Sequence, residues 1–160
     1  MLNVKIICIG SIKEKYFKDA ILEYQKRLTD FCKFSILELP EYRISNNPSN
    51  SDINKALAEE GKRVLSKIKD KDEVVSLCIE GKELSSVGLS KYINDAALIG
   101  HSTVDFIIGG SFGLSDEVKN RSNLKLSMSR MTFTHQMSRV ILCEQIYRAF
   151  NILNGGKYHK

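Results

Sequence analysis

Behind the apolar run Thr103–Ile108 stand three glycines within five positions: Gly109, Gly110 and Gly113. A β-branched and aromatic run of that length reads as a strand entering a buried sheet. Ser115 then offers an N-cap to a short helix whose first turn holds Asp116 and Glu117. Open α/β sheets bind ligands at such strand–loop–helix junctions, where glycine permits positive φ and close approach of the backbone. The ligand is not a phosphate of the usual kind. G-x-x-x-x-G-K-[ST] is absent, Ile108 stands where G-x-G-x-x-G needs glycine, and Asp116 and Glu117 would repel an anion. Taken alone, the loop reads equally well as a tight turn and as a site.

Two further stretches share this setting. Leu77 to Gly81 and Met128 to Phe133 each follow an apolar strand-like run. In a parallel sheet the three loops leave at one edge. Together they can line a pocket of backbone amides and apolar side chains, which suits a nucleoside with an apolar or sulfur-bearing tail. Gly109→Val is then expected to remove ligand binding while the fold is kept.

The elements that must position these loops alternate between two periods. Asn3–Gly10 reads as a buried strand, and Ser11 to Glu14 matches a capping box that starts a helix with Phe17, Ile21, Tyr24 and Leu28 on one face. Phe34–Leu39 is a second strand, ended by Pro40. Pro40–Ser51, rich in Asn, Ser and Pro, is expected to be a mobile loop. A helix striped by Ile53, Leu57, Gly61, Val64 and Ile68 follows, then a strand over Glu73–Ile79. Ser86 is placed to cap a third helix with Leu89, Ile93 and Ala96 inward. After the glycine loop come a strand over Leu124–Met128, the loop Ser129–Thr134, and a last helix from His135 to Asn151. That helix shows a wide apolar face (Met137, Val140, Ile141, Cys143, Tyr147, Phe150), wider than a lone surface helix needs, and an i,i+4 pair between Glu144 and Arg148. Gly155-Gly156 ends it and is expected to free the tail Lys157-Tyr158-His159-Lys160. Strands separated by helices predict an α/β fold: a mostly parallel sheet with helices on both faces, in a single domain over residues 1–160.

Composition narrows the class. The 160 residues suffice to bury about 70% of the unfolded surface in one core. No apolar run reaches membrane-spanning length and no signal peptide precedes the first strand. Cys8, Cys32, Cys78 and Cys143 are scattered and form no C-x-x-C pair, which reads as core thiols of a cytoplasmic protein, with no metal site. Charge is uneven. Residues 121–160 hold seven Lys or Arg against one acid, Glu144, whereas residues 1–120 hold seventeen against eighteen. Positive charge gathered in one quarter of the chain fits a polyanion such as RNA, and fits ordinary surface charge as well.

Several stretches resemble one family. Gly109-Gly110-Ser111-Phe112-Gly113-Leu114, Leu126-Ser127, Met131-Thr132-Phe133, His135-Gln136-Met137, Arg139-Val140, Glu144 to Ala149 and Tyr158-His159-Lys160 look like the RlmH family of the SPOUT superfamily. The resemblance covers essentially the whole chain. It implies a C-terminal trefoil knot, which periodicity alone would not suggest. It also implies an S-adenosylmethionine-dependent methyltransferase acting on N3 of a pseudouridine in 23S ribosomal RNA, in the helix 69 region, on the assembled ribosome. By the family pattern the cofactor falls to Leu77, Gly109, Met128, Ser129, Arg130, Met131, Thr132 and Phe133. Tyr158, His159 and Arg148 are the catalytic candidates, and Arg139, Lys157 and Lys160 the RNA contacts. Arg139 and Arg148 also read as helix-surface pairs, and the tail as a disordered end. The family further implies a homodimer packed through the knot regions, the last helix included. Cys78, Phe112 and Thr134 depart from the family pattern. A methyltransferase acting on another RNA such as tRNA, and a non-catalytic RNA-binding assembly factor, stay open as alternatives.

Overall fold

Strands and helices alternate along the whole chain, residues 1–160, in the computed structural model. The strands are β1 (Asn3–Ile9), β2 (Lys33–Leu39), β3 (Glu73–Glu83), β4 (Thr103–Ile108) and β5 (Leu124–Ser127). The helices are α1 (Lys15–Leu28), α2 (Asn50–Leu65), α3 (Ser86–Leu98), α4 (Asp116–Arg121) and α5 (His135–Leu153). All strand pairs are parallel, in the order β2-β1-β4-β3-β5. The α/β class and the helix-covered parallel sheet expected from the sequence are what forms.

Alternation along the strands sorts the core into two layers. Val4, Ile6 and Cys8 of β1, with Val104, Phe106 and Ile108 of β4, pack under α1, α3 and α5. Ile7, Ile9 and Ile107 point the other way, onto Val64 of α2 and Val118 of α4. Gly61 belongs to that second contact. A Cβ there would stand 2.4 Å from the Ser115 hydroxyl, so glycine lets α2 lie against the cap of α4. No helix is long and apolar enough to cross a membrane.

Local chemistry explains where the elements begin. Ser11 to Glu14 does not form a capping box: α1 starts at Lys15 with Glu14 as an N-cap that makes no side-chain bond. The amides of that stretch are used elsewhere. Ile12 N–H donates to Glu38 Oε2 (3.3 Å) and Lys13 N–H to Gln136 Oε1 (3.4 Å). The capping box of this chain is instead at Ser49 and Asp52, opening α2. Ser85, not Ser86, caps α3, and the Ser86 hydroxyl donates to Gln145 of α5. The stretch between β2 and α2 is tied down at two points: Tyr42 N–H donates to Glu60 (2.9 Å), and Arg63 donates to the Pro40 carbonyl (2.6 Å).

α5 carries a different buried stripe from the expected one. Arg139, Leu142, Cys143, Ile146, Ala149 and Phe150 are buried, whereas Met137 is exposed and Val140, Ile141 and Tyr147 are half-buried. The helix packs against both α1 and α3, so its apolar face is wide because it has two neighbours within the chain.

At the amino-terminal edge of the sheet Asp105 is fully buried, 3.3 Å from the Lys5 ammonium and without a hydrogen bond. Burial pushes its carboxyl up to about 7, Lys5 opposes the shift, and Asp72 adds to it. A folded-state pKa raised above the unfolded value means that ionisation opposes folding, so this residue's contribution falls as pH rises from about 4 to about 7. Asp105→Asn removes the titrating carboxyl. The melting temperature of the variant relative to wild type should therefore rise between pH 5 and pH 8, by about 4–8 °C for a domain of this size. Thermal melts at the two pH values check it; an unchanged difference would show that Asp105 does not titrate in that window.

Candidate functional site

The carboxyl ends of β3, β4 and β5 meet in one cavity of about 800 Å³. It takes walls from Leu77 to Ile79, from Ile108 to Ser111 with Gly113, and from Leu126 to Ser138 with Arg130 left out. Three sequence-distant loops thus converge, as their shared position at the ends of parallel strands requires. Leu77, Gly109, Met128, Ser129, Met131, Thr132 and Phe133 all line the cavity, and Arg130 is exposed outside it.

Each wall has a local cause. β3 outruns the expected end at Ile79 because its register against β5 breaks: Leu126 is opposite both Leu77 and Lys82. The extra residues bulge, which turns Leu77, Cys78 and Ile79 into the cavity. Gly81 allows the strands to close again, since a Cβ there would stand 2.7 Å from the backbone of Lys125 and Leu126. The glycine loop closes on itself. Gly113 has φ +85°, its N–H donates to the Gly110 carbonyl, and a Cβ on Gly109 would fall 2.3 Å from the Gly113 carbonyl oxygen. Glycine at 109 is therefore demanded by the loop's own fold before any ligand arrives. The third wall is held by serine: the Ser127 hydroxyl donates to the Ser129 carbonyl, and Ser129 Oγ accepts from Met131 N–H, both at 3.0 Å. Thr134, one of the departures from the family pattern, caps α5 by accepting from Met137 N–H (3.2 Å). Phe112 stands half-exposed at the loop tip outside the cavity. Cys78 is half-buried and its thiol is raised above its ordinary pKa, by burial first and the Glu80 carboxylate second.

The start of α5 is locked to the other half of the sheet. Arg139 is 2% exposed; its Nη1 donates to Glu38 at the end of β2 (2.5 Å) and its Nη2 to the Gly10 carbonyl after β1 (3.2 Å). Its expected role as an RNA contact is therefore corrected: the guanidinium is inside the protein and already paired. No group of three or more His, Cys, Asp or Glu side chains is gathered to hold a metal ion.

Neither Arg148 nor the tail residues line the cavity. Arg148 pairs with Glu144 through two nitrogens (3.0 and 2.5 Å). The tail expected to be free is folded back on α5. The Tyr158 hydroxyl donates to Glu144 (3.0 Å), its ring meets Tyr147 edge-on at 4.8 Å with Arg148 4.6 Å above it, and its N–H donates to Asn151. His159 Nδ1 lies 3.3 Å from Arg148. Burial holds the Tyr158 phenol above its usual pKa, with neighbouring Tyr24 and the hydrogen bond donated to Glu144 adding to the shift, so in this position it is a donor and not a base. Sequence reasoning took Gly155-Gly156 as a release point. Asn151, whose side chain receives the turn, was the signal it lacked.

The fold and cavity define a class. A family described as "Predicted SPOUT methyltransferase" matches residues 2–159, and the chain belongs to that family. Among its relatives, a "Ribosomal RNA large subunit methyltransferase H" of Levilactobacillus brevis is 47% identical over 159 residues, covering 99% of this chain and all of that one. Proteins of the same name from Limosilactobacillus reuteri and Streptococcus pneumoniae are each 48% identical over the same span. A solved structure described as a probable methylase family protein from Haemophilus influenzae Rd KW20 aligns with a TM-score of 0.56 at 10% identity, covering 98% of this chain and 70% of that one; it speaks for the fold alone.

Two substitutions test the site's construction. Gly109→Ala should lower stability by about 1–3 kcal/mol, because the loop must open to admit the methyl group. Denaturant unfolding reads this, and an unchanged midpoint would contradict the self-packed loop. Arg139→Leu should cost about 2–4 kcal/mol, and Glu38→Gln less, since Glu38 is 45% exposed and glutamine still accepts from Ile12 N–H. Equal losses would mean that charge, not the buried guanidinium, carries the joint.

Proposed function

We propose that the chain is an S-adenosylmethionine-dependent methyltransferase that acts on N3 of a pseudouridine of 23S ribosomal RNA, in the helix 69 region, on the assembled ribosome in the cytoplasm. One observation carries the reading. Three strand ends converge on one cavity in a chain that matches, over its whole length, relatives named for methylating large-subunit ribosomal RNA. The cavity fits the cofactor. Its volume is in the range of ligand sites, and Leu77, Ile79, Met131 and Phe133 give apolar walls beside the hydroxyls of Ser111, Ser129 and Thr132. Leu77, Gly109, Met128, Ser129, Met131, Thr132 and Phe133 would hold it. Bound there, the sulfonium supplies an electrophilic methyl group with its own leaving group.

What remains for the protein is orientation, exclusion of water, and removal of the N3 proton. The knot that the family implies would fix all three loops in one body. We assign the proton to His159, with Tyr158 and Arg148 positioning it. Their place on and against α5, clear of their own chain's cavity, makes a homodimer the natural context, since a second copy can bring its tail to a neighbouring cavity. Exposed apolar side chains at the cavity rim, Tyr16 (65%), Ile79 (67%) and Met131 (76%), favour such a partner. Arg130, Lys157 and Lys160 are all exposed and free to meet RNA phosphates.

Calorimetry should show S-adenosylmethionine binding, and the purified protein should transfer methyl to ribosomes but not to tRNA. Binding without transfer would favour an assembly factor. Deleting Tyr158–Lys160 should lower methylation at least about tenfold. Because Tyr158 is packed on Tyr147, the deletion should also lower the melting temperature by a few degrees, on the order of 1 kcal/mol. Mixing the deleted chain with a Thr132→Trp chain, blocked at an exposed position of the cavity wall, should raise transfer above that of either alone. No gain would place each tail's work in its own chain.

A further inference from the structure

Methyl transfer requires the acceptor ring to enter beside the donor, so its site must open onto the large cavity. A second cavity of about 460 Å³ shares a wall with the first, made by Ser111, His135 and Gln136. It lies over the carboxyl ends of β1 and β2 and reaches the loop after β4 at Ser111, beside the gap between β1 and β4. There the connections diverge: β1 leads through α1 on one face of the sheet to β2, and β4 through α4 on the other face to β5. That is a topological switch point, the place where open α/β sheets take ligands.

The two cavities differ in chemistry. Only one of the ten residues around the second is hydrophobic. Glu38 is held by Arg139 and by the Ile12 amide, whereas Glu41 and the Lys13 ammonium have no partner in the chain. The Glu41 carboxylate hangs over the glycine loop, with Oε1 3.5 Å from where a side chain on Gly110 would begin. His135 Nδ1 is buried at the shared wall with no hydrogen bond. The unused groups are thus an acceptor, a cation and an imidazole nitrogen. Two carboxylates deter a phosphate from the floor, and Lys13 leaves it a place at the side.

We propose that this cavity receives the acceptor nucleotide and that Glu41 determines its specificity by accepting the ring N1–H of pseudouridine. The inference rests on the function proposed above. With N3 turned to the shared wall, N1–H of pseudouridine faces away from the donor. In uridine the same position is C5–H, which gives a carboxylate nothing to accept. His135 Nδ1, when protonated, donates to a ring carbonyl.

Glu41 is exposed and bonds to nothing, so Glu41→Ala keeps the fold. Methyl transfer would be measured on ribosomes carrying either pseudouridine or uridine at the target position. Glu41→Ala should lower kcat/KM on the pseudouridine substrate about 10–100-fold, the range of a hydrogen bond to a charged group. Glu41→Gln should fall between it and wild type. On uridine, wild type and variant should be equally slow, and affinity for S-adenosylmethionine should not change. Wild-type kcat/KM for Glu41→Ala on both substrates overturns the assignment. So does a loss of donor affinity equal to the loss of transfer, which would make the second cavity part of the donor's site. Absence of transfer by the wild-type protein sinks the underlying function instead.

Discussion

A guanidinium placed where water cannot follow needs fixed acceptors, and the arrangement around Arg139 follows from that need. Glu38 and the Gly10 carbonyl supply them, from the ends of β2 and β1. Glu38 also takes the Ile12 amide, and Gln136 takes that of Lys13. The first turns of α5 are thereby fastened to the half of the sheet that does not line the large cavity. Their opposite side, from His135 to Ser138, is the cavity wall. One buried cation thus anchors the helix whose start forms the wall between the two cavities. Its surroundings also silence the nearby thiols: burial raises Cys8 to about 11 and Cys143 to about 12 against the opposing charge of Arg139.

The two edges of the sheet are built to different ends. At the carboxyl edge the backbone is bent, bulged and glycine-rich, and buried charge is paired. At the amino edge Asp105 is left without a hydrogen bond, and Glu73 is shared between the Tyr92 hydroxyl and His101. Nothing at that edge opens toward the site. Its buried acids bear on stability, while the loops at the other edge enclose the cavity.

Legibility in the sequence followed the range of the interaction responsible. Strands whose apolar alternation is decided locally, such as Asn3–Ile9 and Thr103–Ile108, were readable, and so was the Ser115 cap. The three loops of the site were readable because parallel pairing puts all strand ends on one edge. Features decided by a distant partner were not. Ser11–Glu14 has the letters of a capping box, but its amides are claimed by residues 26 and 123 positions away. The buried stripe of α5 shifted because α1 and α3 both press on it. Gly109 was read as room for a ligand, yet its absent side chain makes room for Gly113.

The charge asymmetry is the clearest case of a correct count with a misleading meaning. Of the seven cations in residues 121–160, three act within the fold. Arg139 is buried, Arg148 holds Glu144, and Arg121 donates to the carbonyls of Lys69, Asp70 and Asp72. Lys125, Arg130, Lys157 and Lys160 remain exposed. Four separated cations give a weak and salt-sensitive hold on RNA, with a slope shallower than the raw count suggests. A segment left with four free cations gains little discrimination from charge. Under the function proposed above, selection of one nucleotide falls to the polar geometry of the cavities and to the shape of a large, preformed substrate.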